Sequence, residues 1–491
     1  MYRYVGWISF VCLMCLLQTS LGLSGEIQGE TYQRLDNIRR QKKAQLLNYL
    51  DNVKKSADAI RKDPVMEDFF DIKNKYYQLR KTKPASEGLV RTLEALKQKI
   101  NEHYLNNYRL FYDILFINTA GEIFYTIRKQ ADYHKNIFRG ALSETALAQQ
   151  LEEYPHETFV DYQYYDVSGE PSAFIVEPVI KDGRFMGWFV MQCAINKINN
   201  MFTHEKGLGM TGEVFLVNKE NYMLTDSRFY GDSTILKRHL SRKNIEAKFE
   251  EQSGHKIVTD YRGFRALSSF EVCRIADSEW LLIAKIDEDE IITEQYKGRR
   301  NVLGRRLKDR LRKSAVRHCK GIPVSEKPVV VDMDEFRKVQ KGEMIGTFGV
   351  STCTALIISF PERFAYMGHI SPLDRIYGGK TTDLISHMLK RIKAFDIYKY
   401  ERRRLQATIV ANHCESIIET INALVEEGFF LSQIKFIYNG SAEYGRVLHD
   451  YMKNETCVKW LMNRDTGEKV CQCASDVKSV GSLIKPVIGY E

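Results

Sequence analysis

Cys353 and His369, set in GTFGVSTCTALIISFPERFAYMGHISP, are the pair in this 491-residue chain best suited to covalent chemistry. The cysteine follows a Gly/Ser/Thr-rich turn and opens an apolar, β-branched run. The histidine comes sixteen residues later, after Gly368. A strand–turn–strand hairpin brings two such residues side by side. An imidazole that takes the thiol proton leaves a thiolate able to attack an amide or ester carbonyl. The competing reading is structural, since most buried cysteines are small core hydrophobes.

The elements needed to hold that pair are legible around it. PVVVDMDEF, TALIISF, RFAYMGHI, LQATIVAN, IKFIYN, TCVKWLMN and EKVCQC have strand patterns, and the Asp465-Thr466-Gly467 turn joins the last two. Thr381 to Phe395 carries Leu384, Ile385, Met388, Leu389 and Ile392 at helical spacing, and Glu415 to Glu427 is a second helix stopped by Gly428. His413 and Cys414 are two ligands at most, too few for a zinc site. Core packing is their expected role, and no metal or other cofactor is expected. Cys471 and Cys473 are structural, redox-active or merely neighbours on one strand face, the last being the expected reading for either alone. Pairing of Cys193 with Cys273 is left open.

The chain is long enough for two or three domains. At 44% hydrophobic and 11% aromatic residues it can fill large cores, which excludes global disorder. Ten cysteines are too few for a disulfide-built scaffold. The N-terminus has one early arginine, an apolar stretch from Val5 to Leu23, then Gly22, Ser24 and Gly25: a signal peptide or an uncleaved anchor over residues 1–25. Leu35, Ile38, Leu46, Leu50, Val53, Ala57 and Ile60 then mark a long amphipathic helix that Asp63-Pro64 ends. A second helix runs from Ser86 to Tyr108. Beyond Leu110 the period becomes that of strands, with turns at Ala120-Gly121 and Asp182-Gly183. NYMLTDSRF, HKIVTDYRGFRALSSFEV and WLLIAKID continue as a second strand series. Residues 296–320 hold eleven Lys/Arg against one Asp. A helix or an exposed linker is the expected form, acting as a solvated charged connector, with contact to anionic lipid or an acidic partner as the sharper alternative. An export signal argues against nucleic acid.

DYQYYDVSGEPSAFIVEPVI, GWFVMQCAINKINNMF, GLGMTGEVFLVNKENYMLTDSRF and TDYRGFRALSSF followed by WLLIAKIDEDE resemble the double Cache (dCache) sensor modules of bacterial receptors. The resemblance implies a long helix behind two PAS-like lobes and a small-molecule site in the distal lobe. The Arg-x-Trp-Tyr signature of amino-acid-binding members is absent; Ile127-Arg128-Lys129-Gln130 stands there, and the ligand is left open. Tyr125, Tyr133, Tyr162, Tyr164 and Tyr165, with Asp161 and Asp166, are the candidates to line that pocket. The competing reading is that alternate tyrosines simply occupy strand faces.

Residues 326–475 resemble CheD, the chemoreceptor glutamine deamidase of bacterial chemotaxis, in the turn before Cys353, the context of His369, YGGKTTDLISHMLKRI and DTGEKVCQC. Thr352 stands where that family has serine, and Ala411-Asn412 replace its paired glycines. The resemblance implies a layered α/β sandwich and a Cys353–His369–Thr347 site. In it Thr347 orients the imidazole and backbone N–H groups at Thr352 and Cys353 stabilise the oxyanion.

The expectation is thus an α+β protein: residues 1–25 a signal or anchor, 26–295 a dCache sensor, 296–322 a basic linker, 323–491 a CheD-like domain. The first functional reading is an exported or membrane-anchored, periplasmic sensor with a cysteine-dependent amidohydrolase acting on protein glutamine amides or glutamate methyl esters. The alternatives are a non-catalytic small-molecule-sensing protein in signal transduction, or an amidase for a small extracellular amide.

Overall fold

A computed structural model describes residues 2–107, 110–153, 156–203, 207–313, 328–339, 343–361, 363–371, 382–393 and 401–488. The chain divides into two compact units, one of residues 32–286 and one of residues 1–31 with 287–491. The role expected of residues 1–25 lies outside the described side chains. Among the described residues no helix is long and apolar enough to cross a membrane.

In the 32–286 unit, the part of α1 (Tyr2–Arg61) from residue 32 onward buries Leu35, Leu46, Val53, Ala57 and Ile60, the stripe its spacing predicts. Asp63-Pro64 ends α1, and the same two residues start α2 (Pro64–Leu79), which the sequence reading missed. The Asp63 carboxylate accepts from the Val65 N–H at 2.9 Å and Pro64 takes the first helical turn. α2 buries Met66, Phe69, Phe70 and Lys73. α3 (Glu87–Asn107) follows.

The strands β1 (Asp113–Asn118), β2 (Ile123–Thr126), β3 (Thr158–Tyr165), β4 (Glu170–Lys181) and β5 (Arg184–Ala194) form an antiparallel sheet in the order β2-β1-β5-β4-β3. Asp182 and Gly183 both have positive φ, 52° and 74°, as a tight two-residue hairpin between β4 and β5 requires. One sheet face meets α2: Phe70 packs on Phe124 and Phe189 with ring centroids 4.9 and 5.3 Å apart. The other carries the core of Leu115, Ile117, Leu147, Phe174 and Val190.

A second sheet in the same unit has the order β6-β9-β8-β7: β6 (Glu213–Val217), β7 (Ser253–Thr259), β8 (Arg265–Ile275) and β9 (Ser278–Asp287). The helix Arg242–Glu251 packs on β7 and β8. NYMLTDSRF is not the strand its apolar pattern suggested; it makes only isolated bridges. Its polar side chains bind backbone instead. Thr225 Oγ1 accepts from Leu216 N at 3.1 Å, and Asp226 Oδ1 accepts from Thr234 N at 2.8 Å.

The other unit holds two five-stranded sheets. One is β10-β12-β17-β18-β19, from β10 (Val329–Val330), β12 (Met344–Val350), β17 (Tyr444–Asp450), β18 (Glu455–Asn463) and β19 (Glu468–Cys473). The other is β11-β14-β13-β15-β16, from β11 (Phe336–Val339), β13 (Thr354–Phe360), β14 (Phe364–Ile370), β15 (Gln406–Ala411) and β16 (Ile434–Tyr438). Ile345, Val447 and Trp460 of the first share a core with Ile357, Met367 and Val410 of the second. Cys457 and Cys473, paired across β18 and β19, form a disulfide, and Cys193 and Cys273 are free.

The basic stretch takes the helical one of its two expected forms over Arg300–Arg312, but it is docked rather than solvated as far as it is described. Leu303, Leu307 and Leu311 are buried, Arg300 pairs with Glu426 and Lys308 with Glu415. The four-residue spacing of those leucines was the signal for a docked face; the arginines masked it.

Candidate functional site

The β13–β14 hairpin pairs Ala355 with His369. Cys353 stands two residues before Ala355, at the hairpin mouth, and so is a diagonal neighbour of His369, a separation of roughly 7–8 Å between backbones. Thr347 comes from β12 in the facing sheet. Thr347, His369 and Cys353 are all buried, at 0%, 3% and 4% exposure. Thr352 is exposed at the turn.

The Thr347 hydroxyl lies 2.7 Å from His369 Nδ1 and donates to the Val331 carbonyl at 2.8 Å. A hydroxyl has one proton. Given to Val331, it leaves the oxygen to accept from Nδ1–H. The imidazole is thereby fixed with a bare Nε2 lone pair, and Nε2 is buried without a hydrogen-bond partner. Burial pulls the His369 pKa down, against Asp334 and Asp332, which raise it. A neutral imidazole with a free Nε2 is the form a general base needs. Residues 372–381, which follow Ser371, lie outside the described residues. His413 is exposed while Cys414 is buried, so they do not converge as a ligand pair. Cys473 is disulfide-bonded and Cys471 is free.

The tyrosines expected to share a sensor pocket do not gather in one place: Tyr125 and Tyr133 meet, and Tyr162, Tyr164 and Tyr165 have different surroundings. Tyr125 packs on Phe69 of α2, and Tyr133 stands 6.4 Å from it, ring to ring. The Lys73 ammonium lies over Tyr125, and burial pushes its pKa down to about 8. Tyr165 turns into the opposite core and donates to Asp132 at 3.0 Å. Tyr164 is 55% exposed, and Asp166 is exposed. Asp161 accepts from Trp280 Nε1 at 2.9 Å, with its pKa raised by burial. A register shift between Val160 and Gln163 explains the split, because it breaks the simple alternation of β3. Arg128 of the segment replacing the amino-acid signature is exposed and lies over the Tyr112 ring.

Tyr162 lines a cleft. That cleft has a volume of about 310 Å³ and lies between α1, the β3–β4–β5 surface and the β8–β9 turn. Leu50, Val53, Phe159 and Ile175 give it apolar walls, and Glu177 a buried carboxylate, 1% exposed. Asp58, Glu157 and Glu177 bring carboxylate oxygens within 4.8 Å of one another. Protein cations already answer them: Arg61 is 3.4 Å from Glu177 and Lys54 is 3.8 Å from Glu157. Sequence reading missed Glu177; its signal was a lone charge inside the apolar run AFIVEPVI.

Burial and the neighbouring Glu157 carboxylate push the Glu177 pKa from 4.5 up to about 7. The folded chain therefore keeps a proton there that the unfolded chain has released. This group's contribution to stability falls as pH rises from 4.5 to about 7 and is level above that. Glu177→Gln removes the slope. Urea unfolding of wild type and variant at about pH 5 and about pH 8 should show the variant gaining on wild type at the higher pH. A difference independent of pH contradicts the assignment.

The Cache domain family model (dCache_1) matches residues 23–295. No curated protein matches the chain. The periplasmic sensory domain of the Campylobacter jejuni chemoreceptor Tlp1 is similar at 12% identity and a TM-score of 0.37, over 54% of this chain and 98% of that one. The ligand-binding domain of the Pseudomonas aeruginosa amino-acid chemoreceptor PctC, solved with GABA, is similar at 15% identity and a TM-score of 0.35, over 52% and 100%. An extracellular ligand binding receptor from Desulfohalobium retbaense is similar at 15% identity and a TM-score of 0.35; the match covers 50% of this chain but only 39% of the receptor. The family match stops short of Cys353, His369 and Thr347, and so carries nothing about them. Because it takes in residues 23–295 of 491, more than half of the sequence, the chain belongs to the Cache domain family of ligand-binding sensor domains.

Proposed function

We propose that this chain is an extracytoplasmic sensor that takes a small molecule into the cleft beside α1. The observation that carries the reading is the cleft itself: about 310 Å³, within the size range of small-molecule sites, with apolar walls and few polar groups. Glu177 at one end and the aromatic walls of Phe159 and Tyr162 favour a ligand with an apolar body and one polar end. The Cys457–Cys473 disulfide supports export, because such bonds persist in oxidising compartments. Signal peptide or membrane anchor over residues 1–25 remains part of this proposal.

A thermal-shift screen of amino acids, amines, carboxylic acids and aromatic metabolites on the full chain tests it. Hits should raise the unfolding temperature of wild type. Ile175→Trp, which fills the cleft from the half-buried Ile175 position, should abolish the shift while leaving the ligand-free protein folded. Hits that keep their full effect on the filled variant overturn the reading.

A second reading attaches to the C-terminal half, because of one observation: Thr347 holds His369 as a neutral imidazole with a free Nε2. In this reading Cys353 passes its proton to His369 and attacks a glutamine-type carboxamide. Ammonia leaves with that proton, and water then hydrolyses the thioester to a carboxylate; a methyl ester would lose methanol instead. The substrate would be a protein side chain, as the CheD resemblance implies, or a small extracellular amide. Iodoacetamide alkylation of the native chain, read by peptide mass spectrometry, tests the pair. Cys353 should react faster than the buried Cys193, and His369→Ala should slow it about tenfold or more. Thr347→Val should slow it less. Equal rates in all three proteins contradict the pair.

A further inference from the structure

Cys353 lies one residue outside the last pairs of β13. Thr354 pairs with Ile370 of β14 on one side and with Ala411 of β15 on the other, both antiparallel. One step further out, the same registers set Cys353 between Ser371 and Asn412. Each is then a direct cross-strand neighbour, with Cβ atoms about 4.5–5.5 Å from that of the cysteine. Strand alternation puts all three on the face that looks into the sandwich. Ala355, Met367 and Val410 hold that face in the shared core, and His369 reaches across it to Thr347. Ser371 is fully buried and Asn412 is 6% exposed. Ser371 Oγ and Asn412 Oδ1 are both buried with no hydrogen-bond partner among the described residues. The Asn412 amide is nevertheless anchored, because its Nδ2 donates to the Ala442 carbonyl at 3.0 Å. That contact fixes the oxygen as the unanswered end. With His369 Nε2, three unanswered polar atoms stand on the residues around one thiol.

We propose that Asn412 and Ser371 are the specificity residues of this site, and that Asn412 makes it prefer a primary carboxamide to an ester. The proposal rests on the second reading above, in which Cys353 is the nucleophile. Asn412 Oδ1 can only accept a hydrogen bond. A carboxamide –NH2 supplies the donor, and a methyl ester has none to give. The Ser371 hydroxyl, on the opposite flank, donates to the carbonyl oxygen, which amides and esters share. β14 and β15 lie on either side of β13, roughly 9–10 Å apart. One carboxamide over the thiol therefore comes within reach of both side chains, with one hydrogen bond on each side. An ester leaves Oδ1 buried and unsatisfied, and a penalty of that kind discriminates better than apolar contact does. Asn412 stands where the CheD pattern has a glycine, so this acceptor belongs to this chain and not to that resemblance.

Alkylation of the full chain by iodoacetamide and by methyl iodoacetate, read by peptide mass spectrometry, tests the proposal. The two reagents carry the same reactive carbon beside an amide or an ester. With either, a C–S bond forms at that carbon, the C–I bond breaks, iodide leaves, and His369 Nε2 takes the thiol proton. Measured against glutathione, Cys353 should favour iodoacetamide about tenfold. Asn412→Leu, of similar volume, should remove most of that preference. Ser371→Ala should slow both reagents alike, about threefold or more, and leave the preference in place. The absence of any preference in the wild-type chain overturns the proposal without recourse to a variant. A preference that survives in a folded Asn412→Leu overturns it equally, since slowing of both reagents alike is what a packing role gives. His369→Ala separates the two levels. If it leaves Cys353 unchanged, the nucleophile reading itself fails; if it slows Cys353 while Asn412→Leu keeps the preference, amide recognition alone fails.

Discussion

The first sheet of the sensor unit is apolar on both faces. Every residue of β1 and β2 is buried, so the sheet cannot fold with one side in water. The Phe70 contacts with Phe124 and Phe189 seal one face under α2, while the core around Leu115, Leu147 and Phe174 fills the other. The long N-terminal helix is the continuation of that requirement: its buried stripe runs on past the region that α2 covers. The cleft lies where α1 and β3–β5 leave space between them.

Polar groups that break an apolar pattern mark the places where chemistry is available. Glu177 interrupts AFIVEPVI, Lys285 interrupts WLLIAKID, and His369 sits in a strand in which every residue is buried. Each carries a desolvation cost that must be offset. Lys285 is offset by Asp260 and Glu213, and His369 by Thr347 at Nδ1 but by no hydrogen bond at Nε2. Glu177 has Arg61 at 3.4 Å and still holds its proton up to about pH 7. The incompletely satisfied groups separate a site from a structural network.

Much of the fold was legible because it follows from local chemistry. The helical stripe of α1, the Asp182-Gly183 turn and the β13–β14 hairpin that aligns Cys353 with His369 all follow from period or turn type. The interaction between Thr347 and His369 came from resemblance to CheD, since no spacing rule links β12 to a strand of the facing sheet. Other elements were lost where one residue serves two purposes. Pro64 stops α1 and starts α2, so it was read only as a stop. NYMLTDSRF has strand-like apolar residues, but its Thr225, Asp226 and Ser227 side chains capture backbone groups. The arginines of 300–312 hid the leucine face that docks the helix. The tyrosines of β3 divide at a register shift that has no sequence signature.

The central claim is that the cleft beside α1 receives the sensor's ligand. A crystal structure of the full chain with its most stabilising small molecule tests it most directly. The account predicts that molecule between α1 and the β3–β4–β5 surface, its polar end toward Glu177 and its apolar body on Phe159 and Ile175. A ligand seated instead between the first sheet and the Ala146–Glu153 helix, with the cleft empty, would contradict it.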